Sequence, residues 1–272
     1  MKPAFKRSVI PRCACTLVEL LIVIAIIAVL AALLLPAANR VERKAQRTVC
    51  MNNVRQINLA IRMYCDDFNG SAPIDQTAVS NASDIGEYGL ATFFGYRQLI
   101  HQYVGLGPIP SPQDKLFTCP ADTFYYGMES LNPLSISYLP RGFHENTNTS
   151  FSSYSFNGGL TNIYSIYTDT IGIGGEKFSA IRQPDLTVLD SEVCALFPFS
   201  WHQPGNASGF GAVMFNNGAV LFDDARNMVG FVDGHVKYIK FFWNPTPVQP
   251  GVWALAIQYD PPPGYDYKWS GN

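Results

Sequence analysis

The dominant pattern along the chain is an unbroken apolar block near its start. From Leu20 to Ala38 the sequence reads LLIVIAIIAVLAALLLPAA, 19 residues without a charge, and a membrane-spanning helix needs about 20. Lys2, Lys6, Arg7 and Arg12 precede the block, the layout of a targeting segment. A cleaved secretory signal has an apolar core of roughly 7 to 15 residues followed by a small-residue cut site. This block is longer and continues into more helix-compatible sequence, so the pattern predicts a helix that spans a bilayer. Charge leaves its orientation nearly balanced, because Arg40, Arg43, Lys44 and Arg47, with Glu42 among them, stand opposite the four leader cations.

Beyond the block, residues 39–67 contain few helix breakers and place Val41, Ala45, Val49, Val54, Ile57, Ile61 and Tyr64 near helical spacing. The spacing predicts one continuous helix from Cys15, about 53 residues and roughly 80 Å long at 1.5 Å per residue. Its second half would pack against the rest of the chain, and Asp66, Asp67, Asn69, Gly70 and Pro73 supply its stop. After Pro73 the period changes to short apolar and aromatic runs broken by Gly, Pro, Asn and Ser, with one helix-compatible stretch at residues 90–104. That reads as strands and long loops. The clearest piece is a three-strand meander, residues 219–222, 228–232 and 235–242, whose second turn is Asp233-Gly234.

The expected class is α+β: a long N-terminal helix, its first half transmembrane, packed on a mainly antiparallel, loop-rich head. The expected divisions are a basic leader over 1–14, the transmembrane half of the helix over 15–38, its soluble half over 39–68 and an extracytoplasmic head over 69–272.

Charge narrows the function classes. The chain has 19 Lys plus Arg against 21 Asp plus Glu, a net of −2, which gives no support to nucleic-acid binding. Loss of residues 1–14 with their four cations would leave 15 basic groups against 21 acidic, a net of −6. At the start of the apolar helix, immediately before the uncharged block, stands an ionisable group, Glu19. Burying it in hydrocarbon costs several kcal/mol without a cationic partner, so it is a functional candidate, against the alternative of a carboxylate favoured at a helix N-terminus by the dipole.

The run Ala14-Cys15-Thr16-Leu17-Val18-Glu19-Leu20-Leu21 resembles the cleavage and methylation signature of type IV prepilins and type II secretion pseudopilins. The resemblance implies a pilin-like fold and a cut between Ala14 and Cys15, where the family usually has Gly and Phe. It further implies N-methylation of Cys15 by a prepilin peptidase and methyltransferase, and a role for Glu19 in pairing with the methylated amine of a neighbouring subunit. Pro36 falls where the family often carries a helix-kinking proline. A charge pair inside an apolar bundle adds little net stability but penalises wrong register, so Glu19 would gauge assembly. The implied partners are the peptidase, other pseudopilin or pilin subunits, and a bacterial inner membrane crossed once.

Further similarity lies in the stretch from Cys50 to Gly70, in Phe117-Thr-Cys119-Pro-Ala-Asp122, in Ser153-Tyr-Ser-Phe-Asn-Gly158 and in Phe231-Val-Asp-Gly-His-Val236. These motifs are similar to a long pseudopilin-like subfamily with an Asp-Gly-His-Val ending. That subfamily usually has a histidine ten residues before the Asp, where this chain has Asp223. Of six cysteines, Cys50, Cys65, Cys119 and Cys194 would remain in the head, and an oxidising compartment favours pairing. The motifs make Cys50 with Cys119 the first choice among three connectivities, with free buried thiols as the alternative.

Asp223, Asp224, Asp233 and His235 are candidate metal ligands. Oxygen donors around a loop suit calcium, and an imidazole suits a transition metal. Calcium is also what the family's major pseudopilins commonly hold in the head, whereas Asp at hairpin turns is ordinary turn chemistry. No catalytic motif is present: His101, His144, His202 and His235 form no H-E-x-x-H, and neither G-x-S-x-G nor a phosphate loop occurs. The expected function is therefore a structural subunit of a secretion pseudopilus or pilus-like fibre and not an enzyme. The alternative is an anchored module that binds extracellular polysaccharide through Trp201, Trp243, Trp253 and Trp269, set against packing of those rings in the core.

Overall fold

A single helix, α1, runs Leu17–Asp67 over 51 residues with Pro36 inside it. The computed structural model describes residues 16–74, 91–123, 125–128, 136–139, 141–158, 172–195, 200–202, 225–242 and 260–271. The chain divides into two units, Met1–Lys44 and Ala45–Asn272. In the first, every described residue is exposed, and the helix is long and apolar enough to cross a membrane. Pro36 lacks the N–H that would bond back to the Ala32 carbonyl, yet the helix continues through it.

In the second unit the same helix becomes a core element. Its buried face is Cys50, Asn53, Val54, Ile57, Asn58, Ala60, Ile61, Tyr64 and Cys65, positions recurring every three or four residues as one side of a helix requires. Ala45 and Val49 of the predicted stripe are exposed, as is Val41 in the first unit. Periodicity weighed apolar residues alone, whereas the burying face begins at Cys50 and includes two amides. Asn53 Nδ2 donates to the Thr118 carbonyl (3.1 Å) and to Tyr154 Oη (3.2 Å). Asn58 Nδ2 donates to the Phe231 carbonyl (2.8 Å), and Arg62 Nη1 to that of Val232 (2.8 Å). The helix ends on a left-handed pair, Asn69 (φ 56°) and Gly70 (φ 76°), and the Gly70 N–H returns to the Cys65 carbonyl at 2.7 Å, the usual way of satisfying last-turn carbonyls.

The helix-compatible stretch becomes two short helices, α2 (Ala91–Phe94) and α3 (Tyr96–Ile100), then a 3₁₀ turn over His101–Val104. Strands β1 (Tyr125–Met128) and β2 (Ile136–Leu139) form an antiparallel pair. The head's main sheet has β3 (Tyr154–Phe156), β4 (Val188–Glu192), β5 (Arg226–Phe231) and β6 (Val236–Lys240) in that order, all pairs antiparallel. β4 is buried at every position and lies centrally. β6, an end strand of the sheet among the described residues, keeps Lys237 exposed and Lys240 half-buried, and lysines on an edge discourage pairing with other chains.

Two of the predicted meander strands are thus β5 and β6, joined through Asp233-Gly234, with Gly234 at φ 100°. The third, residues 219–222, lies outside the described residues. Helix and sheet meet closely at Gly230. A Cβ there would collide with Asp190 Oδ1 and stand 2.8 Å from Asn58 Nδ2 and 3.1 Å from Val54 Cγ1, so the residue's smallness lets α1 approach β5.

Candidate functional site

Two places carry chemistry, one in each unit. At the start of α1, Glu19 Oε2 accepts bonds from the Thr16 backbone N–H and from Thr16 Oγ1, both at 2.8 Å, and Thr16 Oγ1 accepts the Glu19 N–H at 3.3 Å. This reciprocal pair is a capping box, Thr-x-x-Glu, which satisfies donors that a helix start otherwise leaves open. Glu19 is exposed and stands where the helix dipole favours a negative charge. Ala14 and Cys15, the residues of the expected cut, lie outside the described residues.

The second place is a buried cluster in the head. Cys50, the first buried residue of α1, is joined by a disulfide to Cys119, with 5.4 Å between their Cα atoms. Cys119 follows the 3₁₀ turn Lys115–Phe117 and precedes Pro120. Against the disulfide stand Glu192, the last residue of β4, and His202. Cys119 Sγ lies 3.4 Å from Glu192 Oε1 and 3.7 Å from His202 Nε2. His202 Nε2 donates to Glu192 Oε1 at 2.8 Å, and both side chains are fully buried. One donor atom from each of the four residues falls within 4.8 Å of all the others.

The surroundings fix these groups. The Met228 N–H on β5 donates to Glu192 Oε2 at 2.8 Å, so both carboxylate oxygens are engaged. The Cys119 N–H donates to Ser153 Oγ (2.9 Å), which itself donates to Asp122 Oδ2 (2.7 Å). Asp122 also accepts the N–H groups of Phe143 and His144 and faces His144 Nδ1, each at 3.0 Å. That contact with Asp122 raises the His144 imidazole above its usual range. His202 is held at its backbone, where Arg47 donates to its carbonyl at 3.3 Å. Its Nδ1 is buried with no hydrogen-bond partner among the described residues. Comparison of the chain with protein-family models, with curated proteins and with solved structures finds no match in any of the three.

The structure therefore brings Cys50 and Cys119 together, and leaves Cys65 and Cys194 as buried thiols, the latter donating to Asn227 Oδ1 at 2.8 Å. Of the predicted oxygen site, Asp223 and Asp224 lie outside the described residues, while Asp233 and His235 lie together: Asp233 Oδ1 is engaged by the N–H (3.0 Å) and Nδ1 (2.5 Å) of His235. The buried cluster offers two sulfurs, a nitrogen and a carboxylate, a donor set unlike the six to eight oxygens that calcium takes. Nor do the tryptophans form a surface where they are described. Trp201 is 3% and Trp269 2% exposed; Trp201 packs edge-on to Phe143 and Trp269 against Phe241 and Tyr267. Trp243 and Trp253 lie outside the described residues.

Sequence reasoning missed Glu192 and His202. They share no motif with the two cysteines, and Glu192 ends a mixed run, Val-Leu-Asp-Ser-Glu, which nothing ties to a particular histidine.

Proposed function

We propose that this chain is a pilin-like structural subunit, anchored by α1 in a bacterial inner membrane, with its head on the extracytoplasmic side. A prepilin peptidase removes residues 1–14 and N-methylates Cys15. The product joins other pilin or pseudopilin subunits in a type II secretion or type IV pilus-like fibre, as a component that does no catalysis itself. The observation that carries this reading is α1. One helix begins with a glutamate beside an otherwise uncharged apolar stretch, is exposed from residue 17 to 45, and supplies a buried face of the head from residue 50 onward. A secretory signal has no need to continue as a core helix of the mature domain.

The buried disulfide supports the extracytoplasmic placement, since such bonds persist in oxidising compartments. Binding of polysaccharide through Trp201 and Trp269 is not favoured, because neither ring reaches the surface.

The test is intact-mass and N-terminal analysis of the protein from membranes of cells with and without a prepilin peptidase. The expected product begins at N-methylated Cys15 and appears only with the peptidase. A chain of full length in both, or one cut near residue 38, removes the pilin reading.

A further inference from the structure

We propose that Cys50, Cys119, Glu192 and His202 form a binding site for one thiophilic divalent cation, zinc by chemical class, whenever the Cys50–Cys119 bond is reduced. Disulfide and metal are then alternative occupants of the same place. The proposal concerns the head alone and does not depend on assembly into a fibre.

Four observations converge. The donor set is two cysteine sulfurs, one imidazole nitrogen and one carboxylate oxygen, all of them ordinary zinc ligands in a tetrahedral site. Bond lengths of about 2.3 Å to sulfur and about 2.0–2.1 Å to nitrogen and oxygen set the edges of such a tetrahedron at roughly 3.3–3.8 Å. Cys119 Sγ stands 3.4 Å from Glu192 Oε1 and 3.7 Å from His202 Nε2, the whole set lies within 4.8 Å, and the 2.8 Å His202–Glu192 contact is a hydrogen bond that would open as the two atoms turn to a shared cation. The carboxylate is oriented from behind by the Met228 N–H at its second oxygen, the kind of outer contact that aims a metal ligand. Finally, a buried carboxylate–imidazole pair is costly to desolvate. A disulfide, being uncharged, gives that pair nothing in return, whereas a divalent cation would offset two of the three negative charges of the carboxylate and the two thiolates.

The chain leaves the ribosome with both cysteines as thiols, so the metal form needs no reductant in a newly made protein. Binding releases the two thiol protons as two metal–sulfur bonds form. In the reverse step, a disulfide-bearing exchange partner takes two electrons from the thiolates and two protons from solvent, becoming a dithiol. The Cys50–Cys119 bond forms and the cation leaves.

The experiment uses the full chain in detergent micelles, reduced with a phosphine under argon and titrated with Co²⁺, followed by Zn²⁺. The expected result is one equivalent of Co²⁺ with thiolate-to-metal charge transfer and the intense d–d bands of a tetrahedral site. Zn²⁺ bleaches these bands, and neither the oxidised chain nor Cys50→Ser shows them. His202→Asn and Glu192→Gln should lose d–d intensity. Should reduction alone unfold the head, recovery of its circular dichroism on adding Zn²⁺ supports the site, and no recovery overturns it. A folded reduced chain without tetrahedral bands also overturns it, as do bands unchanged in both ligand variants. If those variants do not fold, X-ray absorption of the zinc-loaded native chain decides: two sulfurs with two lighter atoms support the assignment, and any other shell rejects it.

Discussion

His144 and Asp122 show how one buried carboxylate organises a loop. Asp122 follows Cys119 by three residues, and by gathering Ser153 Oγ, two backbone N–H groups and the imidazole it fixes the segment that carries the disulfide. Its hydrogen bond raises the imidazole in the folded state, and the sign of the effect on stability follows. Below the ordinary histidine value, about 6.5, the ring is protonated folded and unfolded, and its gain from Asp122 is fully present. As pH rises through the raised folded value that gain is lost. Denaturant midpoints of the head should therefore fall as pH rises from about 6.5 through the raised folded value, and His144→Gln should flatten this part of the profile. An equal slope in the variant would assign the dependence to another group. Asp190 is the contrasting case. Burial raises its carboxyl well above the usual range, outweighing the lowering effect of the Asn58 amide beside it. Its contribution falls as pH climbs from the ordinary carboxylate value, about 3.9, through its raised folded value, so the His144→Gln comparison, which leaves Asp190 in place, is what isolates the imidazole.

At the scale of elements, α1 was the most legible part of the sequence. Its apolar block, its stop at Asn69-Gly70 and its interior spacing from Val54 to Tyr64 were all readable, because each is local. What was not readable was where its buried face begins. That depends on which amides find carbonyls in residues distant in sequence, as Asn58 finds Phe231. The β5–β6 hairpin was legible through Asp233-Gly234, whereas β3 and β4 were not, being short and ordered by partners far along the chain. The helix start invites a direct test, since Glu19 has a local role in the capping box beside the proposed one in assembly. Glu19→Gln keeps a side chain able to accept from Thr16 but removes the charge. Under the assembly reading, Glu19→Gln and Glu19→Ala both fail to enter sheared or cross-linked fibres, while Thr16→Val, which loses only the cap hydroxyl, still enters. If Glu19→Gln assembles like the unaltered chain, capping accounts for the residue and charge pairing is excluded.

At the scale of the whole chain, the disulfide is a covalent constraint in the head between residues 69 positions apart. Restricting an unfolded loop of that size is worth about 4 kcal/mol on chain entropy. In metal-free buffer, Cys50→Ser/Cys119→Ser should lower the head's stability by about that amount, measured by urea unfolding against the oxidised chain; a difference near zero would mean that strain or residual structure cancels the entropy. The candidate site was half legible from sequence, because the two cysteines sit in recognisable runs, while Glu192 and His202 reach them only through the packing of β4 and the segment around Trp201. The position of the bond along α1 has a mechanical side. Ala45 and Val49 are exposed, and Cys50 is where the helix first enters the core. Tension drawn along α1 from its exposed apolar half thus meets a covalent link before it meets any buried side chain. Peeling the helix out of the head from that end requires breaking a bond, while the packing behind it, from Asn53 to Cys65, is spared the initial pull.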